Sequence, residues 1–172
     1  MLIVGIVLLV LIFCFGFVLL FGAPYLPTLN RQVQLALDMA DLKPGQTLLE
    51  LGCGDGKVVA AAAARGYKVV GYELNPILFL ICKFRTWQYG SLVRIYWGNF
   101  LTRQWPECDA IFVFGLQRIM LTLDKKIMQS IHSPVNPAAG RRGQVKVISF
   151  AFTFPGRMPT QHRAGLSLYQ FK

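Results

Sequence analysis

The stretch that decides the fold is Leu48–Val59, LLELGCGDGKVV. An apolar run carries one carboxylate, Glu50, glycines follow at alternate positions (Gly52, Gly54, Gly56), and an apolar run resumes. A buried strand, a turn with glycine at every second position and a helix bring backbone close to a ligand beyond the carboxyl end of a parallel strand. Two nucleotide classes fail on this loop. The dinucleotide fingerprint needs glycine at the sixth position, where this chain has Lys57, and no GxxxxGK[ST] phosphate loop is present. Glu50, two residues before the first glycine, suits a ligand with a cationic end better than a pyrophosphate. The bland alternative is a structural turn beside a surface carboxylate.

The pattern around the loop is alternating. Strands are predicted over 47–51, 68–73, 93–98, 109–115, 145–152 and 165–171, and helices over 56–66, 76–90 and 118–131. Pro76 stands at the first position of its helix and Gly66 and Gly90 past helix ends. An earlier helix is expected over 31–42, capped by Asn30, because Val33, Ala36, Leu37 and Ala40 share one helical face. Residues 133–143, SPVNPAAGRRG, read as a loop. The fold class is α/β, a Rossmann-like, mostly parallel sheet with helices on both faces. The last strand follows through FPGRMP with no room for a helix, so it runs antiparallel.

The second strand ends in GYELNP, placing Glu73 17 residues beyond Gly56 and 21 beyond Gly52. A carboxylate there can accept both hydroxyls of a ribose. A glycine-rich turn alone is a weak signal; with a strand-end carboxylate at this distance it is a strong one.

Leu2–Gly22 holds 21 residues without a polar side chain except the thiol of Cys14. As a helix it would be roughly 31 Å long, enough to cross a bilayer core. A secretory signal peptide would carry a basic n-region, but all 18 Lys+Arg and all 8 Asp+Glu lie from Arg31 onward. A buried core helix would be shorter and amphipathic. The expected organisation is a single-pass transmembrane anchor (1–23), a linker and pre-domain helix (24–45) and a ligand-binding domain (46–172). Basic residues that all follow the span put the domain on the cytoplasmic side, of a bacterial inner membrane or its organelle equivalent. The net charge of +10 suits an anionic membrane surface. Nucleic acid is not expected, because the basic residues are scattered and no aromatic–basic motif accompanies them. Cys14, Cys53, Cys82 and Cys108 form no CxxC pair, so neither a metal site nor a disulfide framework is expected.

ELGCGDG followed by GYE resembles the first motif and acidic partner of class I S-adenosylmethionine-dependent methyltransferases. That resemblance implies S-adenosyl-L-methionine as cofactor. It places Glu50, Leu51 and the Gly52–Gly56 backbone, including Cys53, Gly54 and Asp55, near its methionine part, with Glu73 and Leu74 at the ribose. An acidic residue that receives the adenine amino group is common after the third strand; the matching place is Asn99, with Phe100 flanking the ring. LPTLNRQV, GCGDGKVVAAAAARGYKVVGYELNP, IFVFGLQRIM and SFAFTFP together are similar to the small membrane-associated protein lysine methyltransferases that modify adenine nucleotide translocase and ATP synthase c-subunit. This implies a membrane-protein substrate and puts Thr28 and Gln32 at the cofactor or substrate entrance. Where that group has an aspartate-led DLW, this chain has NFL (99–101).

Methyl transfer asks the protein mainly to position and desolvate. Phe114, Gly115, Leu116 and Gln117, beyond the fourth strand, are the expected acceptor wall. His132 at a helix end and His162 in a polar loop are not expected to act as bases. Asp55 can cap a helix or touch ligand, and Trp87, Trp97 and Trp105 read as core or membrane-proximal packing. The leading expectation is lysine N-methylation on a membrane protein. An aminophospholipid N-methyltransferase, an inactive cofactor-binding scaffold and, more weakly, a nicotinamide oxidoreductase are the alternatives.

Overall fold

The computed structural model describes residues 4–5, 29–115, 117–132 and 144–172. Among them no helix is long and apolar enough to cross a membrane. The expected anchor lies outside the described residues apart from Val4 and Gly5, as do Thr28, Leu116 and the 133–143 loop.

The described chain runs α1 (Asn30–Ala40), β1 (Thr47–Leu51), α2 (Lys57–Ala64), β2 (Lys68–Glu73), α3 (Pro76–Thr86), a 3-10 segment (Trp87–Leu92) and β3 (Val93–Trp97). It continues with β4 (Ala110–Val113), α4 (Gln117–Ile131), β5 (Val145–Phe150), β6 (Gln161–Arg163) and β7 (Leu166–Phe171). The strands form one seven-stranded sheet of order β3-β2-β1-β4-β5-β7-β6. All neighbours from β3 to β5 are parallel; β7 pairs antiparallel with β5, as expected. The order reverses between β1 and β4. In register, Leu51 faces Tyr72 on β2 and Val113 on β4, so these strands end level at the same edge.

Alternation along the strands divides the core. Leu48, Val69, Ala110, Phe112 and Ile148 pack with α1, α2 and Cys82 of α3. Leu49, Val70, Ile111, Val113 and Val147 face the other way, under Met120, Leu123, Ile127 and Ile131 of α4 and Trp105. The four residues expected on the buried face of α1 are buried.

Several boundaries differ from expectation for physical reasons. Asn30 is the first helical residue, not a cap; Leu29 holds the cap position and no side chain caps α1. The predicted helix over 76–90 ends at Thr86, whose hydroxyl donates to the Cys82 carbonyl, and the chain tightens into the 3-10 turn. β5 stops at Phe150 because Ala151 takes a left-handed φ of 67°. Strand β6 was not expected. Its residues are exposed and carry no alternation, and it exists by hydrogen-bonding to β7. His162, expected in a loop, lies on β6 with Nδ1 2.9 Å from Ser167 Oγ.

Gly56 shows the closest approach in the glycine loop. Its φ is +81°, and a Cβ there would stand 2.7 Å from Cys82 Sγ and 3.1 Å from Cys82 Cα of α3. Gly45 has a similar φ, +86°, but open space. Gly45→Ala should cost only the left-handed strain, roughly 1–2 kcal/mol. Gly56→Ala should cost a further 1–3 kcal/mol or so for overpacking, read as the difference between their denaturant-unfolding free energies.

Candidate functional site

Beyond the carboxyl ends of β1, β2 and β4, the loop after β1 folds onto its neighbour strand. The Gly52 and Cys53 N–H groups both donate to the Tyr72 carbonyl, at 2.9 and 3.0 Å, and Gly56 N–H returns to the Cys53 carbonyl at 2.9 Å. Gly52, Gly54 and Gly56 all have positive φ, which explains the glycine spacing. Gly52 is exposed, with nothing within 4 Å of the place a Cβ would occupy.

Glu50 is buried on the α2 side of β1. It accepts a hydrogen bond from the Val59 backbone in the first turn of α2, while its Oε2 has no partner among the described residues. Burial raises its pKa well above the ordinary carboxylate value, and the nearby Cys82, Asp55 and Glu73 add to the shift. Glu73, also buried, accepts Gly54 N–H at Oε2 and Asn75 N–H at Oε1, each at 2.8 Å. Burial raises its pKa too, against the lowering by these backbone bonds. Asp55 pairs with Arg85 at 3.1 Å and accepts a long 3.4 Å bond from Lys57 N–H. Of the two roles open to Asp55, the structure therefore shows a loose cap and an ion pair. The result is a cluster of three carboxyl groups in a strongly basic chain.

The other expected residues fall into place unevenly. Leu51 is core and Leu74 accepts the Trp97 indole N–H at 2.9 Å. Asn99 uses Oδ1 to accept Leu101 N–H at 2.9 Å, so one acceptor position of that oxygen is committed to its own turn. Phe100 packs against the α4-side core, and its carbonyl accepts the Trp105 indole. Gln32 turns an Oε1 without partner among the described residues into buried space. Gly115 is buried, and Gln117 donates to the Thr153 carbonyl at 3.3 Å.

Three features were missed by reading the sequence. Asn75 caps α3, accepting from Ile77 N–H at 2.8 Å and Leu78 N–H at 3.2 Å; the Asn-Pro dipeptide was the available signal. Phe114 does not stand alone: its ring lies 4.8 Å from Phe150 and 6.5 Å from Phe152. And Cys53 and Cys82, 29 positions apart in the chain, are in contact. Their hydrogen bond, with burial, raises the Cys53 thiol well above its usual value, and both remain free thiols. His132 bonds its own helix through the Met128 carbonyl, and His162 lies on the edge hairpin. Among the described residues no cluster could hold a metal ion.

A seven-stranded sheet of this order, with a glycine loop and two carboxylates beyond its reversal point, defines the class I S-adenosylmethionine-dependent methyltransferase fold. Residues 50–161 match the family described as "ANTKMT methyltransferase domain", and the chain belongs to that family. It is 31% identical over 138 residues to the ATP synthase c-subunit lysine N-methyltransferase of Xenopus laevis, covering 79% of this chain and 56% of that protein. It is 29% identical over 123 residues to the adenine nucleotide translocase lysine N-methyltransferase of Mus musculus, covering 69% and 52%. The chain thus spans about half the length of the curated relatives it matches. Among solved structures, an RNA methyltransferase from Salinibacter ruber shares the fold, with TM-score 0.69, 22% identity and coverage of 85% of this chain and 92% of that one.

The raised pKa of Glu50 sets a sign for stability. A carboxyl whose folded pKa exceeds its unfolded value stabilises fully below the unfolded pKa and progressively less as pH rises through the folded one. In the ligand-free protein, Glu50→Gln should therefore raise the thermal midpoint at about pH 8. The gain over wild type should shrink as the pH falls toward the ordinary carboxylate range, as read by calorimetry.

Proposed function

We propose that this chain binds S-adenosylmethionine and transfers its methyl group to a lysine side chain of a membrane protein. The observation that carries the reading is the buried Glu50 carboxylate with one unpartnered oxygen, set beneath an open glycine loop that Glu73 braces. The residues fit the cofactor chemically. Glu50, and Gln32 with its unpartnered Oε1, offer acceptors to a cationic amino-acid end; Glu73 retains further acceptor positions for ribose hydroxyls. The open space over Gly52 leaves room for close approach to backbone.

When bound, the cofactor supplies an electrophilic methyl group on a sulfonium whose leaving group is already in place. The carboxylates Glu50, Asp55 and Glu73 favour that cationic ligand electrostatically. Phe114, Phe150 and Phe152 make an apolar wall at the ends of β4 and β5. Desolvation against such a wall lowers the pKa of a lysine amine and lets its proton leave to water before transfer. Support for lysine as acceptor comes from the relatives, whose names describe lysine N-methyltransferases of two different proteins. Support for a membrane location is the 21-residue apolar run, Leu2–Gly22, with the domain on the cytoplasmic or equivalent side.

Two measurements test the reading. Titration calorimetry should show S-adenosylmethionine binding that weakens in Glu50→Gln and Glu73→Gln by about tenfold or more, since bonds to charged groups contribute roughly 1.5–3 kcal/mol. Undiminished affinity in both variants would remove the proposed site. Incubating the full chain with cofactor labelled in its methyl group and native membranes should label a protein on lysine. Label in lipid alone would instead identify an aminophospholipid acceptor.

A further inference from the structure

Helix α3 turns apolar residues the wrong way. Leu78, Cys82 and Thr86 form its buried face. Opposite them, at i, i+4 and i+7, Leu80, Phe84 and Trp87 are 63%, 80% and 77% exposed, with Ile81 beside them at 41%. A surface helix normally puts charge there, and a helix apolar all round is normally covered. The neighbouring edge strand β3 extends the patch with Trp97 at 58%, while Tyr96 points to the other face of the sheet, stacked on Tyr72. Exposed apolar residues standing singly are ordinary; a contiguous aromatic patch marks an interaction surface.

The charges around the patch identify its partner. From Leu74 to Pro106 there is no Asp or Glu, but there are four cations, Lys83, Arg85, Arg94 and Arg103, all exposed. Lys83 borders the apolar face of α3, as does Arg85, which is paired with Asp55 at 3.1 Å, and Arg94 projects from the other face of edge strand β3. A second copy of the chain meeting this face across a two-fold axis would bring the same cations together, which is unfavourable.

We propose that the outer face of α3 and the β3 edge dock into the interface of an anionic lipid bilayer. Leu80, Phe84 and Trp87 enter the boundary between headgroups and acyl chains, where amphipathic helices lie in the membrane plane. Trp97 occupies the headgroup level, as such rings do. Lys83, beside Leu80, Phe84 and Trp87, meets lipid phosphates, and Arg94 reaches them round the free edge of β3, whereas Arg85 stays paired with Asp55. This surface is separate from the apolar run at Leu2–Gly22 and does not depend on the methyl-transfer reading. It does orient the molecule: α3 is capped by Asn75, whose backbone Glu73 holds, so a docked α3 brings the glycine loop close to the headgroups.

The test reads orientation rather than attachment. The full chain is reconstituted in phosphatidylcholine–phosphatidylserine vesicles with brominated acyl chains, which quench only tryptophans that reach them. Quenched emission is expected, and Trp87→Phe should remove most of the quenching, because Trp97 sits at the headgroup level and Trp105 is 3% exposed. Unquenched Trp87 in the vesicle-bound chain would overturn the proposal, whether that face lies in water, against a second copy or under another protein. Equal quenching in pure phosphatidylcholine would overturn the anionic partner.

Discussion

The Glu73 carboxylate accepts Gly54 N–H with one oxygen and Asn75 N–H with the other, and the site is built around this pair of bonds. The first ties the glycine loop after β1 to the end of β2. The second sets the turn from which Asn75 caps α3. Because α3 then brings Cys82 against Gly56 and Cys53, the loop is gripped from both sides: by a carboxylate at its middle and by a helix at its end. One side chain thus positions three elements, and it can do so only because both oxygens of a carboxylate accept.

The same region is electrostatically expensive. Glu50 and Glu73 are buried, their pKa values raised by desolvation, while Asp55 has Arg85 as its ion-pair partner. A chain of net charge +10 concentrates carboxylates where they repel one another. Such an arrangement is unfavourable to folding and favourable to a cationic ligand, the trade common to sites whose groups are poised for function rather than stability. Glu50 recovers part of its cost by accepting the Val59 backbone bond at the start of α2, while its second oxygen has no partner among the described residues.

Much of this was legible in the chain. The strands at β1, β2, β4 and β7 lie close to where apolar runs and their glycine and proline boundaries place them, and the antiparallel last strand followed from a connection too short for a helix. What the sequence hid has physical causes. β6 carries no apolar pattern because both its faces are wet, and only the free edge of β7 explains it. Helix α3 was over-extended because Trp87 and Tyr89 continue an apolar pattern that the backbone does not follow beyond Thr86. Phe150 and Phe152 joined Phe114 only through the parallel pairing of β4 with β5, more than thirty residues on.

By itself the sequence determined the fold class, the glycine loop and the two carboxylates. Those features arise from short-range constraints: a tight turn needs glycine, a buried strand needs apolar residues, and a strand-end carboxylate is placed by counting. Tertiary structure alone decided that Glu73 would brace the loop and that Cys53 and Cys82 would touch. It also left Leu80 and Phe84 of α3, with Trp87 just after it, facing outward. Those outcomes depend on which surfaces meet across the sheet, and a residue's spatial partners are set by packing rather than by its neighbours in the chain.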